Sequence, residues 1–496
     1  MIGSLYNPSY REPPIATRTY QTVGYRSGAG TRTWTFARYT CMVAPGIQLS
    51  ATPVLEQYIQ DGKLLLPFSF PFHRQPTRGI YQLYRSIALL VSLPAWIFRY
   101  VLRGWRPRRS WTLRQTIFVC RYCIAWIPVH TLYTGSLLSS LAQIRSFRWF
   151  FDTSSAVGMA GREHQDYSKI PLHRIKDHQN FVLIPPAPSH LVIGDIKVFA
   201  DKADVKPEMI IGYWFGKTPE EEAVKPEEVV VMNIHGGAYV TCTAHPTDFT
   251  ATIPKGLLAC GKESGTIDRV LSIDYRVSSI HPFKPNGQFP SAILDALSGY
   301  IYLISLGFMP HKIIFCGDSA GGNLALAITR YLVEANHPDL PVPTGGLLLT
   351  SPWADMSLQH NRPGGTSETN YESDYLGNSL NVEYYALMAF IGVHDPHEYL
   401  HNPYISPASP FLPHGLKIFD QRWPRTIIFA GGGEVMLDEI KSLKHVMIEG
   451  GVDVTWCEIE DAVHDFFLCS MFEEHSRKGF EEVVEWVKVG KVQFTT

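Results

Sequence analysis

The hexapeptide GDSAGG at residues 317–322 decides the fold prediction, because it joins a strand pattern to a helix pattern. Residues 311–316 (HKIIFC) form a short apolar run, and residues 323–334 (NLALAITRYLVE) contain neither Gly nor Pro. A Ser in a G-x-S-x-G sequence between a strand and a helix occupies a sharp turn that exposes its hydroxyl group. The pattern therefore predicts Ser319 as a nucleophile. The alternative is a glycine-rich turn that happens to contain a serine.

A second glycine-containing loop precedes this turn in the chain. Residues 228–234 (EVVVMNI) form a nearly continuous apolar run, as is typical of a strand buried on both faces, and continue into HGGAY at 235–239. Backbone N–H groups of such a loop can point at a developing negative charge. We therefore predict an oxyanion hole formed by Gly236, Gly237 and the N–H of Ala320. His235 is interpreted as a residue that shapes the loop, and a plain turn is the alternative for this segment.

The acid and the base of a catalytic triad are predicted from two later strand patterns. Glu434 follows the strand pattern at 425–430 (RTIIFA), in a loop from which a carboxylate can orient a histidine. Asp438 is the alternative acid, although it also suits the positive end of the helix that begins there. His464 lies in the loop after the last strand pattern, at 452–459, and is predicted to be the general base.

The pattern of apolar runs predicts an α/β protein with a mostly parallel central sheet flanked by helices, because strand-like and helix-like segments alternate from about residue 180 onward. We assign residues 181–496 to a catalytic domain, with a cap insertion at about 354–400 that could hold a substrate pocket. Residues 192–200 and 208–215 are interpreted as its first strands. Residues 1–60 show no sustained period and are predicted to be irregular.

The segment between these regions, residues 61–180, is predicted to be a basic, aromatic-rich helical extension. Residues 62–151 contain 12 Arg and one Lys but no Asp or Glu. The uncharged run at 87–98 is shorter than the ~20 apolar residues that a membrane span requires. Interleaved aromatic and cationic residues suit a membrane surface. The segment either contacts a membrane peripherally or caps the catalytic domain, and the two alternatives do not exclude each other.

Composition limits the possible partners. The net charge of −2 gives no indication of nucleic-acid binding. The one close cysteine pair, Cys120-x-x-Cys123, has no second pair and no His cluster at zinc-ligand spacing, so it is interpreted as incidental. No metal or organic cofactor is expected. The first 30 residues lack an apolar run of signal-peptide length, so we expect an intracellular protein, in the cytoplasm or on the cytoplasmic or ER membrane surface.

The chain contains five recognisable motifs: HGGAY (235–239), DYR with HPF and FP (274–290), GDSAGGN (317–323), GGGEVMLDE (431–439) and VHDF (463–466). Together they resemble the hormone-sensitive-lipase-like family of α/β-hydrolases, which includes arylacetamide deacetylase and fungal sterol-acetyl hydrolases. Residues 94–114 also look like the N-terminal region of filamentous-fungal members, which are often found in secondary-metabolite pathways. The chain departs from many relatives by having Ala238 in place of a third Gly and Glu434 in place of Asp.

The resemblance implies the α/β-hydrolase fold and a serine esterase or deacetylase. Such an enzyme would cleave an acetyl or short acyl ester of a hydrophobic small molecule through an acyl-serine intermediate. Two alternatives remain open at this point. One is an acyltransferase or another tailoring enzyme on the same fold, and the other is a non-catalytic protein that binds a small molecule.

Overall fold

The computed structural model describes residues 20–27, 30–37, 77–120 and 180–493, except for residues 282, 378–379, 396–397 and 414–415. The chain divides into two compact units, residues 1–51 and 52–496. The smaller unit contains an antiparallel hairpin of β1 (Tyr20–Ser27) and β2 (Gly30–Ala37). These strands differ from the irregular region predicted for residues 1–60. Their Thr, Val and aromatic side chains favour extended backbone, which explains the difference.

An eight-stranded sheet forms the centre of the larger unit. Its strand order is β10-β9-β8-β7-β5-β6-β4-β3. The six strands from β5 to β10 run parallel, while β4 and β3 form an antiparallel edge. The strands are β3 (Phe181–Ile184), β4 (Ile210–Gly216), β5 (Val230–Ile234), β6 (Arg269–Asp274), β7 (Ile313–Asp318), β8 (Gly346–Thr350), β9 (Thr426–Gly431) and β10 (Val454–Ile459).

Helices of the described residues cover the sheet and extend from it. They are α1 (Thr77–Tyr100), α2 (Gly194–Ala203), α3 (Thr252–Ser264), α4 (Ser291–Ser305), α5 (Ser319–Ala335), α6 (Thr366–Thr369), α7 (Leu380–Ile391), α8 (Glu398–His401), α9 (Leu437–Glu449) and α10 (Glu473–Gln493). Helices α6, α7 and α8 lie within or at the end of the predicted cap insertion.

The parallel strands bring several loops to one edge of the sheet. Strand β5 ends just before Gly236, β7 ends just before Ser319, and β9 leads to Glu434. Strand β10 leads to His464. Because parallel strands present their carboxyl ends at the same edge, residues far apart in the chain can meet there.

One predicted strand is wrong. Residues 192–200 lead into and form most of α2 rather than a strand. Ile196, Ala200 and Ala203 are its buried residues, at the i, i+4 and i+7 spacing of a helix face. The apolar residues at 192–193 and 198–200 mask this period and imitate a strand pattern.

The basic extension is described at residues 77–120, as α1 and the segment 101–120, whereas its residues 61–76 and 121–179 lie outside the described residues. A 3₁₀ turn follows α1 at Arg103–Trp105, and residues 113–120 are helical. Tyr100 and Trp111 are buried. Within the part of the chain that the structure describes, no helix has both the length and the apolar character that crossing a membrane requires.

Candidate active site

The backbone around Ser319 has the geometry of a strained strand-to-helix turn. Ser319 has a φ of 50°, in the left-handed region that side chains other than Gly disfavour. The neighbouring glycines permit this turn: a Cβ on Gly317 would lie 2.2 Å from the carbonyl oxygen of Gly321, and one on Gly321 would lie 2.1 Å from that of Ile234. The turn therefore packs against the end of β5 at a distance that only glycine allows.

Three of the predicted site residues meet in one chain of polar contacts. Nε2 of His464 lies 3.0 Å from Oγ of Ser319, and Nδ1 of His464 lies 2.8 Å from Oε2 of Glu434. The His464 and Glu434 side chains are fully buried, and Ser319 is 6% exposed. A serine, an imidazole and a carboxylate in this order can activate the serine hydroxyl for attack on a carbonyl group.

The other oxygen of Glu434 is held in place by the protein. Oε1 accepts hydrogen bonds from the N–H of Gly431 at 2.6 Å and from the hydroxyl of Ser351 at 3.1 Å. Ser351, which directly follows β8, also accepts a hydrogen bond from the N–H of Asp465 at 3.0 Å. One serine hydroxyl thus connects Glu434 to the loop that carries His464.

Asp438, the alternative acid, has different partners. Its carboxylate accepts a hydrogen bond from the N–H of Thr366, and its own N–H donates to Oγ of Thr366, both at 3.0 Å. These contacts tie the first turn of α9 to α6. The structure brings Glu434, and not Asp438, to His464.

The predicted oxyanion loop lies beside the turn of Ser319. A Cβ on Gly236 would lie 2.3 Å from Oδ2 of Asp318, so this loop passes directly over the residue before the serine. Gly237 has a φ of 110°, and Ala238 at 52° is also in the left-handed region. The N–H of Ala320 lies in the first turn of α5, where backbone N–H groups have no partner within the helix.

Buried aromatic residues fix the two ends of this loop. The ring of His235 stacks on Tyr275 with centroids 4.3 Å apart, and the Tyr275 hydroxyl donates to the His235 carbonyl oxygen at 2.8 Å. The Tyr239 hydroxyl donates to Oδ1 of Asn323 at 2.8 Å. His235 therefore lies where a loop-shaping residue is expected, and Asn323 links the loop to α5.

A second carboxylate faces the base. Oδ2 of Asp465 lies 3.2 Å from Nε2 of His464. Burial alone would lower the pKa of His464, but the carboxylates of Asp465 and Glu434 outweigh burial and raise this pKa well above its usual range. Burial raises the pKa of Asp465 itself, against the opposing effect of His464. The imidazolium form of His464 is therefore strongly stabilised.

Other buried carboxyl groups surround this pair. Burial, followed by the charge of Asp465, raises the pKa of Asp318 well above its usual range. Burial also raises the pKa of Asp374 to about 7, and Oδ2 of Asp374 accepts a hydrogen bond from the N–H of Val435 at 2.8 Å. Burial raises the pKa of Glu434, while its hydrogen bond to His464 acts in the opposite direction. The site therefore holds several carboxyl groups whose pKa values are raised by burial.

Sequence reasoning missed Ser351 and Asp465 as members of the site. The sequence contained an indication of each residue. Ser351 comes directly after a buried strand, and Asp465 comes directly after the predicted base. A minimal serine–histidine–acid pattern needs one serine and one acid, and Ser319 and Glu434 already fill these places, so the pattern alone did not select Ser351 or Asp465.

Residues 231–468 match a family model described as an alpha/beta hydrolase fold. An acetyl-hydrolase from Streptomyces hygroscopicus is 27% identical over 234 residues, which cover 47% of this chain and 67% of the relative. Esterase LipU from Mycobacterium tuberculosis is 26% identical over 263 residues, covering 52% of this chain and 77% of the relative.

Among solved structures, an esterase from the bacterial hormone-sensitive lipase family is 22% identical to this chain. The match covers 57% of this chain and 81% of the esterase chain, with a TM-score of 0.45. The matched segment 231–468 contains β5 through β10 and the loops that carry Ser319, Glu434 and His464. The predicted fold and the predicted α/β-hydrolase resemblance are confirmed, whereas the fungal assignment stays a prediction. Residues 231–468 of this chain form a domain of the α/β-hydrolase fold.

Proposed function

We propose that this protein is a carboxylic ester hydrolase that works through an acyl-Ser319 intermediate. The contacts from Ser319 to His464 and from His464 to Glu434, at 3.0 and 2.8 Å, carry this proposal. The relatives named acetyl-hydrolase and esterase support the same class of reaction. These names agree with the predicted enzyme class.

The proposed mechanism follows from the positions of these side chains. His464 accepts the proton of Ser319 through Nε2 while Oγ attacks the ester carbonyl carbon. Glu434 accepts the Nδ1–H of His464 and stabilises the imidazolium that forms. The proton then passes from Nε2 to the leaving alcohol. Water activated by His464 attacks the acyl-Ser319 ester, which releases the acid and restores the serine.

The negative charge of the tetrahedral intermediate requires donors. We assign this role to the N–H groups of Gly236 and Gly237, on the loop beside Ser319, and to that of Ala320, in the first turn of α5. Loss of one such donor typically costs ~2.7–4 kcal/mol of transition-state stabilisation. Because backbone groups supply them, side-chain substitutions cannot remove these donors directly.

The substrate class that we propose is an acetyl or short acyl ester of a hydrophobic small molecule. Asp318, Asp374, Glu434 and Asp465 are all buried at this site. In their ionised forms these carboxyl groups repel an anionic substrate, whereas a neutral ester loses little hydration on entering a buried site. The name of the acetyl-hydrolase relative supports an acetyl group. A secondary metabolite as the alcohol part stays a prediction.

An acyltransferase is the second candidate, because Ser319 is only 6% exposed and a site that excludes water favours another acceptor. The two reactions share the acyl-Ser319 step and differ in the second step. Adding a primary alcohol to the assay separates them: a hydrolase releases mainly acid, whereas an acyltransferase forms mainly the new ester.

The test of the hydrolase proposal uses p-nitrophenyl acetate and p-nitrophenyl butyrate with the wild type, Ser319→Ala and the control Ser305→Ala. Ser305 is an exposed serine at the end of α4. We expect turnover by the wild type and the control, none by Ser319→Ala, and fluorophosphonate labelling of the peptide that contains Ser319. Equal activity of all three proteins would disprove the nucleophile assignment. A folded wild type without turnover or labelling would favour the binding-protein alternative.

We also propose that the basic extension contacts a membrane surface through α1. Ile80, Ile87, Val91 and Phe98 are 66%, 52%, 74% and 74% exposed. At about 100° per residue, these four positions lie within ~40° of one another around the helix. Among the α1 side chains that the structure describes, only Tyr100 is buried. An exposed apolar stripe on a helix is typical of a protein that lies on a membrane.

The charge of the segment suits an anionic surface, since residues 62–151 contain no acidic residue. Not every cation is free for this purpose. Arg106 donates to the carbonyl oxygens of Tyr100 and Trp111, at 2.9 and 2.6 Å. Arg99, by contrast, is half-exposed and pairs only loosely with Glu372, at 3.3 Å. Membrane contact and capping of the domain thus use different residues of one segment.

A further inference from the structure

The segment after α1 is packed on the domain that carries the candidate site. Trp111 is 2% exposed, and its ring meets Phe472 edge-on with centroids 5.9 Å apart. Nε1 of Trp111 donates to the carbonyl oxygen of Asp461 at 2.8 Å, and Nε2 of Gln115 donates to that of Met471 at 3.1 Å. Residues outside the matched segment 231–468 therefore contact the loop of the proposed base.

Arg108 makes polar contacts both with the loop that carries His464 and with residues 370–373. Nη1 donates to Oδ1 of Asp461 at 3.3 Å, and Nη2 donates to Oγ of Ser373 at 3.1 Å and to Oδ1 of Asn370. The Arg108 side chain is 24% exposed and that of Asp461 is 19% exposed. A partly buried ion pair of this kind is screened less by solvent than a surface pair.

Each partner of Arg108 leads to a loop of the triad. Asp461, in a left-handed conformation with a φ of 56°, starts the loop that reaches His464 three residues later. Nδ2 of Asn370 donates to the carbonyl oxygen of Glu434 at 2.8 Å. Oγ of Ser373 donates to the carbonyl oxygen of Gly433 at 2.9 Å. One guanidinium group thus connects the loop of the base with the loop of the acid.

We propose that Arg108 is a positioning residue that holds the His464 loop and the Glu434 loop at their catalytic separation. The N-terminal segment would then complete the geometry of a triad to which it contributes no reacting atom. This inference rests on the proposed ester hydrolase function. It goes beyond that function by assigning a catalytic dependence to a residue outside the hydrolase domain.

The planar guanidinium explains why an arginine occupies this position. Its donors point in fixed directions and reach three acceptors at once, one on Asp461 and two on residues 370–373. A lysine ammonium, by contrast, acts as a single point charge. Catalysis is sensitive to small displacements, since a shift of ~1 Å at a reacting group can cost ~100-fold in rate. Loss of Arg108 should therefore lower the rate of the chemical step more than it weakens substrate binding.

The experiment compares Arg108→Ala, Arg108→Lys and the matched control Arg109→Ala, an exposed neighbour. Fluorophosphonate titration of Ser319 gives the concentration of competent sites, and kcat is expressed per titrated site. For Arg108→Ala we expect kcat to fall about 10- to 100-fold with little change in KM. Arg108→Lys should recover part of this loss, and Arg109→Ala should equal the wild type.

Guanidinium ion provides an independent readout of positioning. At low millimolar concentration it should partly restore kcat of Arg108→Ala and leave the wild type unchanged, because it can occupy the vacated position. A purely stabilising role would instead lower the titrated fraction and leave kcat per site intact. That result, or full activity of Arg108→Ala, would overturn the proposal.

Asp461→Asn covers the case in which Arg108→Ala does not fold. Asn keeps an acceptor oxygen but removes the charge that Arg108 faces, so we expect a smaller loss of kcat in the same direction. Wild-type kcat in both Asp461→Asn and Arg108→Lys would contradict the proposal. Failure of the proposed function itself has a separate signature, because the wild type would then neither turn over esters nor react with the fluorophosphonate.

Discussion

Oδ2 of Asp465 lies 3.2 Å from Nε2 of His464, the same ring nitrogen that lies 3.0 Å from Oγ of Ser319. Two oxygen atoms therefore face one imidazole nitrogen. When His464 is doubly protonated, Asp465 can accept the Nε2–H and stabilise the imidazolium. When His464 is neutral with its proton on Nδ1, Nε2 is available to accept the Ser319 proton.

This relationship predicts how activity depends on pH. A general base must be unprotonated, so activity falls as pH decreases through the pKa of His464. Asp465 and Glu434 raise that pKa. Asp465→Asn removes one of the two charges, so the acidic limb of the kcat/KM profile should move to lower pH.

The measurement is kcat/KM for p-nitrophenyl acetate from pH 4 to 10, corrected for spontaneous hydrolysis. Asp204→Asn is the control, because the Asp204 carboxylate is 89% exposed. Asp318, Asp374 and Glu434 also face the site and contribute to the pH profile. The pH of the acidic limb is therefore compared between the variants and the wild type, and not with the usual pKa of a histidine. An unshifted acidic limb in Asp465→Asn would show that Asp465 does not act on His464.

The acid assignment gives a second prediction. Glu434→Gln keeps the size of the side chain but can no longer stabilise the imidazolium, so kcat should fall by ~10²- to 10⁴-fold. Asp438→Asn should change kcat by less than about threefold, because Asp438 contacts Thr366 and not the base. Steady-state kinetics of both variants would check this. A larger loss in Asp438→Asn than in Glu434→Gln would reverse the assignment.

Glu434 and Asp438 show how much of the candidate site the sequence could predict. The meeting of Ser319, Glu434 and His464 was predictable because each lies just after a strand pattern, and parallel strands end at one edge of the sheet. The choice between Glu434 and Asp438 needed coordinates, since the two lie one helical turn apart and only side-chain direction separates them. The contact of Asp465 with His464 was not predictable. Asp465 has a φ of 45°, and the sequence does not reveal such a backbone conformation for an aspartate.

The close backbone packing of the serine turn gives a third prediction. Gly321→Ala should abolish activity and destabilise the protein by at least ~1–3 kcal/mol, because the added Cβ would lie 2.1 Å from the carbonyl oxygen of Ile234. Gly104→Ala is the matched control, since no atom lies within 4 Å of its added Cβ. Urea unfolding and esterase assays would measure both effects. A fully stable, active Gly321→Ala protein would contradict the described turn.

The apolar stripe of α1 gives a fourth prediction. The double variant Val91→Asp/Phe98→Asp should lose most binding to vesicles that contain phosphatidylserine, as measured by flotation at low salt. The matched control is Val198→Asp/Val489→Asp, which changes two valines that are 65% and 58% exposed on other helices. The control should bind like the wild type.

Two results would argue against membrane contact through α1. One is the absence of wild-type binding to anionic vesicles at low salt, and the other is an equal loss of binding in both double variants. Binding that persists in both would place the contact elsewhere in the chain. Salt should weaken the wild-type interaction, because the cationic part of the contact is screened within ~10 Å at 0.1 M.

The role of the extension was the least predictable part of the protein. Its composition showed a basic, aromatic segment, and both a membrane contact and a cap agreed with that composition. The contacts of Arg108 and Trp111 with Asp461 join residues about 350 positions apart, and no local pattern encodes such a pairing. The wrong strand at 192–200 has a related cause, because short apolar runs fit a helix and a strand equally well.

Trp111, Phe118 and Val119 are buried in the same apolar cluster as residues of β8, β9 and α10. A shortened protein that begins at β3 would leave the surface beneath these three side chains open to water. The folding unit is accordingly longer than the matched segment 231–468. A boundary drawn at that segment would cut through this apolar cluster, and a protein made from the segment alone would expose the cluster to water.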